Sequence, residues 1–197
     1  EDFPRDLEYI EDFKASKIIE PSIKKGVKTL QDQMSCGFKG FTNRLSIDNF
    51  EEPHIGISRL EQGNLIHKIL ETFFNEITTS TKLLQLSDNE LTLLIEKHTE
   101  SAILKIPNSN FKVNEKNRLL AIINEYLDLE KQRDYFEVLE TESASEVNIE
   151  GLKFSTRIDR MDQMASGTKL IIDYKTGKNI KASHLTGDPL KEAQLPI

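Results

Sequence analysis

Between Ser58 and Arg133 the chain carries apolar residues at helical spacing. From Ser58 to about Ile77, apolar side chains recur at every third or fourth position, which predicts an amphipathic helix with one buried stripe. A second helix is predicted to begin at the capping-box sequence SDNE, residues 87–90, and a third to run from about Asn114 to Arg133. The stripe of the first helix consists of Ile66, Ile69, Leu70, Phe73, Phe74 and Ile77.

The pattern changes at Tyr135, after which apolar and polar residues alternate as in strands. The predicted strands are residues 135–142, 145–150, 152–164 and 168–177. Glu150–Gly151 and residues 165–167 are hairpin signals, and residues 187–195 predict a further helix. Helices, then a meander of strands, then a helix predict an α/β fold: a mixed sheet of about four core strands flanked by helices, with an N-terminal helical subdomain.

The segment KLIIDYKTGK, residues 169–178, combines a strand-like apolar run, expected to be buried, with Asp173 and Lys175. Charge is costly to bury, so these side chains require a reason. With a hairpin loop at residues 165–167, Asp159 lies opposite Asp173 on the same sheet face. Two opposed carboxylates repel each other, whereas a divalent cation held between them reverses that term. The pattern therefore predicts a cation site.

Ordinary ion pairs are an alternative interpretation of the same residues. Arg157 or Arg160 could neutralise Asp159, and Lys175 could neutralise Asp173. For either aspartate alone this interpretation is the simpler one. The combination favours phosphodiester hydrolysis, in which metal-bound carboxylates activate a water and a nearby lysine stabilises the developing negative charge.

Composition limits the other possibilities. The 197 residues are 37% hydrophobic and 30% charged, which is typical of a soluble globular protein, and no apolar stretch reaches membrane-spanning length. The net charge of −7 argues against non-specific coating of nucleic acid but does not exclude a nuclease. A single cysteine, Cys36, excludes an internal disulfide and any cysteine-only zinc or iron–sulfur site, and is compatible with the cytoplasm. The chain contains no phosphate-binding loop, so any motor activity must lie elsewhere.

Several motifs resemble one family. RIDRMD at 157–162 followed by IIDYKTGK at 171–178 resembles the core of the PD-(D/E)XK nuclease superfamily, and specifically its RecB-like exonuclease branch. GNLIH at 63–67 is similar to the helical G-x-x-x-H motif of that branch, and ETE at 140–142 to the glutamate that precedes the core hairpin. Asp-x-Lys alone is a weak signal, whereas the ordered set is specific.

The resemblance extends to both ends of the region 30–197. QLPI at 194–197 is similar to the start of the Q-x-x-x-Y motif, although the sequence stops before the tyrosine. The segment at 32–47 is similar to the Q-x-x-C-P-F sequence of AddAB-type nuclease domains, but the three further cluster cysteines are absent, so Cys36 is expected to be a packed thiol. Ile158 stands where many members have proline, which does not impede metal binding.

The resemblance implies a ligand set for Mg²⁺ or Mn²⁺. His67, Asp159 and Asp173 are the implied ligands, with the main-chain carbonyl of Tyr174 as a further oxygen donor. A histidine beside an apolar stripe is more often a packing residue, so this role for His67 depends on the motif, in which Gly63 leaves space against a neighbour one turn earlier. Imidazole also suits Mn²⁺.

The resemblance also implies the remaining catalytic residues, in addition to the two aspartates. Lys175 is the implied catalytic lysine, and Gln194 would contact DNA or steady the active site. Glu142 would lie near the metal and assist a second ion or the water, although Glu140 competes for this role on spacing alone.

The expected domain organisation follows from these motifs. Residues 1–57 are expected to form an N-terminal segment and linker, and residues 58–197 a restriction-endonuclease-like nuclease domain that is truncated at its C-terminus. Within it, residues 58–134 are the helical part, and residues 135–197 are the catalytic sheet and the following helix. Because Glu1 rather than Met opens the sequence, we expect a piece of a longer protein.

The resemblance implies a metal-dependent DNA exonuclease of repair and recombination, joined to or working with a helicase or helicase-like portion. Two alternatives remain at this point. One is a nuclease fold retained as an inactive DNA-binding or scaffolding module. The other is a metal-independent helical interaction protein in which the hairpin is incidental.

Overall fold

A run of helices precedes a β-sheet in the chain. The computed structural model describes residues 22–23, 26–44, 56–107 and 109–176. The helices are α1 (Val27–Ser35), α2 (Gly37–Arg44), α3 (Arg59–Glu76), α4 (Ser80–Gln85), α5 (Asp88–Ala102) and α6 (Asn110–Glu130). The strands are β1 (Ser22–Ile23), β2 (Phe136–Ile149), β3 (Leu152–Met164) and β4 (Lys169–Ile172). The predicted α/β class is confirmed.

Capping boxes start the two helices whose first residues the sequence predicted best. At α3 the Ser58 hydroxyl accepts a hydrogen bond from the Glu61 backbone at 3.1 Å, and the Glu61 carboxylate accepts one from the Ser58 backbone at 2.6 Å. At α5 the same reciprocal pair forms between Ser87 and Glu90. Each box satisfies backbone donors that the first turn would otherwise leave unpaired.

Within residues 58–134, two helices differ from the sequence prediction. The third predicted helix, α6, begins at Asn110 rather than Asn114, because the Ser109 side chain caps it by accepting from the Lys112 backbone. The short helix α4 was not predicted; its N-cap is Thr79, and six residues are too few to show a clear helical period.

The main core lies between α3, α5, α6 and the start of β2. The predicted stripe of α3 is buried throughout, and Phe73 and Phe74 are completely covered. The ring of Phe74 packs edge-to-face against Phe136 of β2, with centroids 6.4 Å apart. This packing fixes the position of α3 relative to the sheet. The buried apolar residues contributed by the other elements include Leu83, Leu91, Ile95, Ile103, Leu119, Ile123 and Leu127.

β3 is the central strand of a mixed, four-stranded sheet. β2 runs antiparallel along one edge of β3, while β1 pairs with it in parallel and β4 antiparallel. The two strands predicted at 135–142 and 145–150 form the single strand β2, which accommodates a bulge at Leu139. Glu150 and Gly151, both at positive φ, form the predicted hairpin turn into β3.

The hairpin between β3 and β4 has the predicted register. Met164 and Thr168 are joined through their backbones at 2.8 Å, and Gly167 supplies the left-handed position with φ of 82°. The pairs from Gln163 to Arg160 continue this register, so that the next position places Asp159 opposite Asp173, one residue beyond β4.

β4 itself is shorter and more exposed than predicted. It ends at Ile172 instead of continuing to 177, and Leu170 and Ile171 are 40% and 45% exposed. The expectation of a buried strand is therefore wrong, because among the described strands only β3 pairs with β4.

Two further expectations concern Cys36 and the predicted C-terminal helix. Cys36 is exposed at the junction of α1 and α2, where the backbone is extended, so the expectation of a packed thiol is wrong. The predicted helix at 187–195 and Gln194 within it lie outside the described residues.

Candidate metal centre

His67 projects from α3 towards the chain segment that follows β4. Its Nε2 donates to the main-chain carbonyl of Tyr174 at 2.9 Å, and the two rings meet edge-to-face with centroids 5.7 Å apart. One turn earlier, a Cβ at Gly63 would lie 3.1 Å from the Thr176 hydroxyl. The glycine therefore lets the helix approach this segment closely, as its spacing predicted.

The register of the sheet brings two carboxylates to the same level. The β2–β3 pairs on either side place Glu142 opposite Asp159. The bulge at Leu139 sets this arrangement, because a ladder continued without it would place Thr141 opposite the aspartate. Their side chains are only 10% and 8% exposed, so both carboxylates lie in a low-dielectric environment.

His67, Glu142 and Asp159 form a compact group whose candidate ligand atoms all lie within 4.8 Å of one another. The His67 Nδ1 is 3.3 Å from a Glu142 oxygen and 3.4 Å from an Asp159 oxygen. One imidazole nitrogen and two carboxylates, with the Tyr174 carbonyl beside them, are donors that suit Mg²⁺ or Mn²⁺. The residues of this structure thus fit a divalent cation.

The backbone at Glu142 is strained. Its φ of 47° lies in the left-handed region, which only one other described non-glycine residue, Glu150 in the hairpin turn, also adopts. Such a conformation costs about 1–2 kcal/mol for an L-residue. Strain of this kind persists where the surroundings impose it, and it is common at functional sites.

Positive charge balances the two carboxylates. Hydrogen bonding to Asp159 raises the pKa of His67 to about 8, against the opposing effect of burial and with further support from the Tyr174 carbonyl and Glu142. The imidazole is therefore largely cationic at neutral pH. The Arg157 Nε lies 2.6 Å from the second oxygen of Glu142. Without a metal, the imidazolium and the guanidinium together balance the negative charge of the two carboxylates. A bound divalent cation would balance the same charge.

Asp173 and Lys175 lie next to this group but pair with each other. The Lys175 ammonium is 2.9 Å from an Asp173 oxygen, and Asp173 is not a member of the three-residue group. Both residues line a cleft of about 480 Å³ between α3 and α6, whereas the three-residue group lines a separate cleft of about 460 Å³. The backbone of Tyr174 connects the two, because its N–H donates to Asp159 at 2.6 Å.

The structure also separates the neighbouring charges that the sequence left open. Arg160 is completely buried and pairs with Asp162 and Glu130, not with Asp159. Arg157 pairs with Glu142 instead. The sequence did contain a signal for a role of Arg157 at the site, since residues two apart on a strand share a face.

The comparisons with known proteins agree with this geometry. A family model described as the PD-(D/E)XK nuclease superfamily matches residues 27–197. A search of curated proteins finds no match to the chain.

Of the helices that the structure describes, none combines the length and apolarity that crossing a membrane requires.

Proposed function

We propose that this chain, which belongs to the PD-(D/E)XK nuclease superfamily, hydrolyses phosphodiester bonds of DNA with Mg²⁺ or Mn²⁺ as cofactor. Members of the superfamily are usually metal-dependent nucleases. The observation that supports the proposal most directly is the group of His67, Glu142 and Asp159, because three potential ligands from three separate elements converge beside the Asp-x-Lys segment.

The proposed metal ligands come from α3, the sheet and the segment after β4. His67 and Asp159 would hold the cation together with the main-chain carbonyl of Tyr174, and Asp173 would contribute from the adjoining position in the register. Glu142 would bind it directly or hold the attacking water. A cation bound there activates water and offsets charge on the scissile phosphate.

The residues of the chain also prepare the site for this reaction. Asp159 accepts from the Tyr174 N–H, which holds in place the residue whose carbonyl is the proposed ligand. Lys175 is the proposed catalytic lysine: its ammonium, held beside Asp173, would steady the nucleophile or the charge that develops on the phosphate. Gln194 is proposed to contact DNA or steady the active site.

The finer proposal is an exonuclease of the RecB-like branch that acts in DNA repair and recombination, in the cytoplasm, with a helicase or helicase-like portion as partner. Support comes from the ordered motifs alone: the helical histidine, the glutamate before the hairpin, the two aspartates with the lysine, and the glutamine.

The test is metal-dependent degradation of linear single-stranded DNA by wild type, Asp173→Ala and Lys175→Ala, with Glu146→Gln as control. Glu146 is an exposed carboxylate on β2 outside the cleft. We expect Mn²⁺-dependent hydrolysis by wild type and the control, and a loss of at least about 100-fold in the two alanine variants. Equal activity in all four proteins contradicts the catalytic proposal.

A circular substrate tests the exonuclease proposal separately. An exonuclease requires a DNA end, so circular single-stranded DNA should survive conditions in which the linear form is degraded. Degradation of both forms at similar rates would instead indicate an endonuclease.

A further inference from the structure

We propose that Arg157 is a phosphate-binding residue of the cleft and is held by Glu142 until a cation occupies the metal centre. The inference rests on the proposed function and names the group that would position the DNA backbone beside the cation. It starts from the position of one arginine relative to the three-residue group.

Arg157 combines contact with the group and access to solvent. Its Nε is 2.6 Å from a Glu142 oxygen and 3.3 Å from the Glu142 carbonyl, yet 65% of its side chain is exposed. It lies two residues before Asp159 on β3, so both side chains point to the same face. The guanidinium therefore lies at the rim of the group, within reach of both Glu142 and the cleft.

The cleft is lined by polar and charged side chains. It measures about 460 Å³, and besides the three-residue group its lining consists of Arg157 of β3 and of Asn64, Lys68 and Glu71 of α3. Lys68 pairs with Glu71 at 2.8 Å, so these two side chains together carry no net charge. An amide, a guanidinium and an ammonium that is shared with Glu71 surround a group of potential metal ligands, and such a lining suits a phosphodiester rather than an apolar ligand.

Charge balance indicates when Arg157 would turn to DNA. A divalent cation neutralises the two carboxylates of Glu142 and Asp159 by itself, and Asp173 is already balanced by Lys175 at 2.9 Å. The guanidinium then adds a net positive charge beside the cation. A phosphodiester carries one negative charge, and a planar guanidinium can bind two of its oxygens at once. When a cation occupies the metal centre, Arg157 would therefore leave Glu142 and bind a phosphate of the DNA backbone.

A positioning role through Glu142 alone predicts different behaviour. If Arg157 only oriented Glu142, its removal would weaken cation binding and leave the affinity for DNA backbone unchanged. If it competes with the cation for Glu142 and binds phosphate, its removal should preserve or strengthen cation binding and weaken DNA binding. Arg157→Gln is suited to the test because the exposed side chain contributes little to folding.

Lys153→Gln is the matched control. Lys153 also lies on β3 and pairs with a β2 glutamate, Glu146, at 3.0 Å, but it does not line the cleft. Both variants remove one positive charge and one ion pair between the same two strands. Arg157→Lys, which keeps the charge but loses the planar fork, tests how much of the effect is electrostatic.

The experiment measures the anisotropy of a fluorescein-labelled phosphorothioate DNA in Mn²⁺ over a range of salt concentrations, with calorimetric titration of Mn²⁺ alone. For Arg157→Gln we expect about tenfold weaker DNA binding and a salt slope smaller by about one, with Mn²⁺ affinity equal to or above that of wild type. Arg157→Lys should recover part of the affinity, and Lys153→Gln should behave as wild type.

The inference is overturned if Arg157→Gln binds DNA with the same affinity and the same salt slope as the wild-type protein. It is also overturned if the variant binds Mn²⁺ more weakly while its affinity for DNA is unchanged. Hydrolysis of ordinary DNA by wild type is assayed in parallel. Its absence would contradict the proposed function, while the anisotropy of the Mn²⁺-loaded protein still decides the role of Arg157.

Discussion

Glu142 and Asp159 face each other across β2 and β3, and His67 of α3 approaches both carboxylates within 3.4 Å. Like charges directly opposed on a sheet destabilise it. The imidazole and Arg157 offset this repulsion in the structure, and a divalent cation would do so more fully. The energetic properties of the group follow from this arrangement.

The left-handed backbone conformation of Glu142 should affect the free energy of unfolding of variants at this position. Glu142→Asn and Glu142→Gln both replace the carboxylate by an amide, but asparagine tolerates positive φ better. We expect the asparagine variant to be more stable than the glutamine variant by about 0.5–1 kcal/mol. Urea denaturation of the two proteins in EDTA measures the difference. Greater stability of the glutamine variant would show that this backbone conformation is not a source of strain.

The raised pKa of His67 makes stability without metal depend on pH. The pKa of His67 is about 8 in the folded protein and 6.5 in the unfolded chain. The contribution of the protonated imidazole to the free energy of unfolding is therefore fully present below pH 6.5. It decreases as pH rises and is lost above about 8, and it amounts to at most about 2 kcal/mol. The groups that face the imidazole are Glu142, Asp159 and the Tyr174 carbonyl.

Denaturation in EDTA between pH 6 and pH 9 measures this contribution. The difference between wild type and His67→Gln should narrow as pH rises across that range. A difference that stays constant, or that widens towards high pH, would contradict the charge balance described for the group.

Arg160 should contribute much more to the stability of the fold than Arg157, which lies on the same strand. It is completely buried, binds both oxygens of Asp162 at 2.6 and 2.7 Å, and lies 3.7 Å over the ring of Phe74. Arg160→Met leaves buried carboxylates without this partner, which costs about 3–5 kcal/mol.

Arg157→Met provides the comparison, because the guanidinium of this pair is exposed and water can take its place beside Glu142, so the loss of stability should be only about 1 kcal/mol. Urea denaturation of both variants tests the contrast. Similar losses in the two proteins would mean that burial of Arg160 does not determine its contribution.

The sequence predicted those features of the site that depend on local spacing. The hairpin loop at 165–167 determined the register that places Asp159 opposite Asp173, and the capping-box sequence at 87–90 marked the start of α5. These features depend on period-two alternation, turn residues and backbone caps, which short segments specify by themselves.

Other features depend on contacts between distant segments. The bulge at Leu139 sets the register of Glu142. Arg157 pairs with Glu142, whereas the sequence suggested Asp159 as its partner. Burial of Arg160 likewise results from the packing of α6 and β2 around β3. Patterns within one segment do not contain this information, because it arises only when the helices cover the sheet.

The exposure of β4 is a further example. Leu170 and Ile171 read as buried on apolarity alone, but burial depends on which neighbour covers a strand. Among the described strands only β3 pairs with β4, so none of these strands covers the other edge of the apolar run.

Calorimetric titration of Mn²⁺ into the metal-free protein tests the central claim most directly, with wild type compared with Asp159→Asn and the control Glu146→Gln. We expect wild type and the control to bind Mn²⁺ with the same affinity, and Asp159→Asn to bind at least about tenfold more weakly because a ligand carboxylate is lost. Equal affinity in all three proteins, or no binding by wild type, would contradict a cation site formed by His67, Glu142 and Asp159.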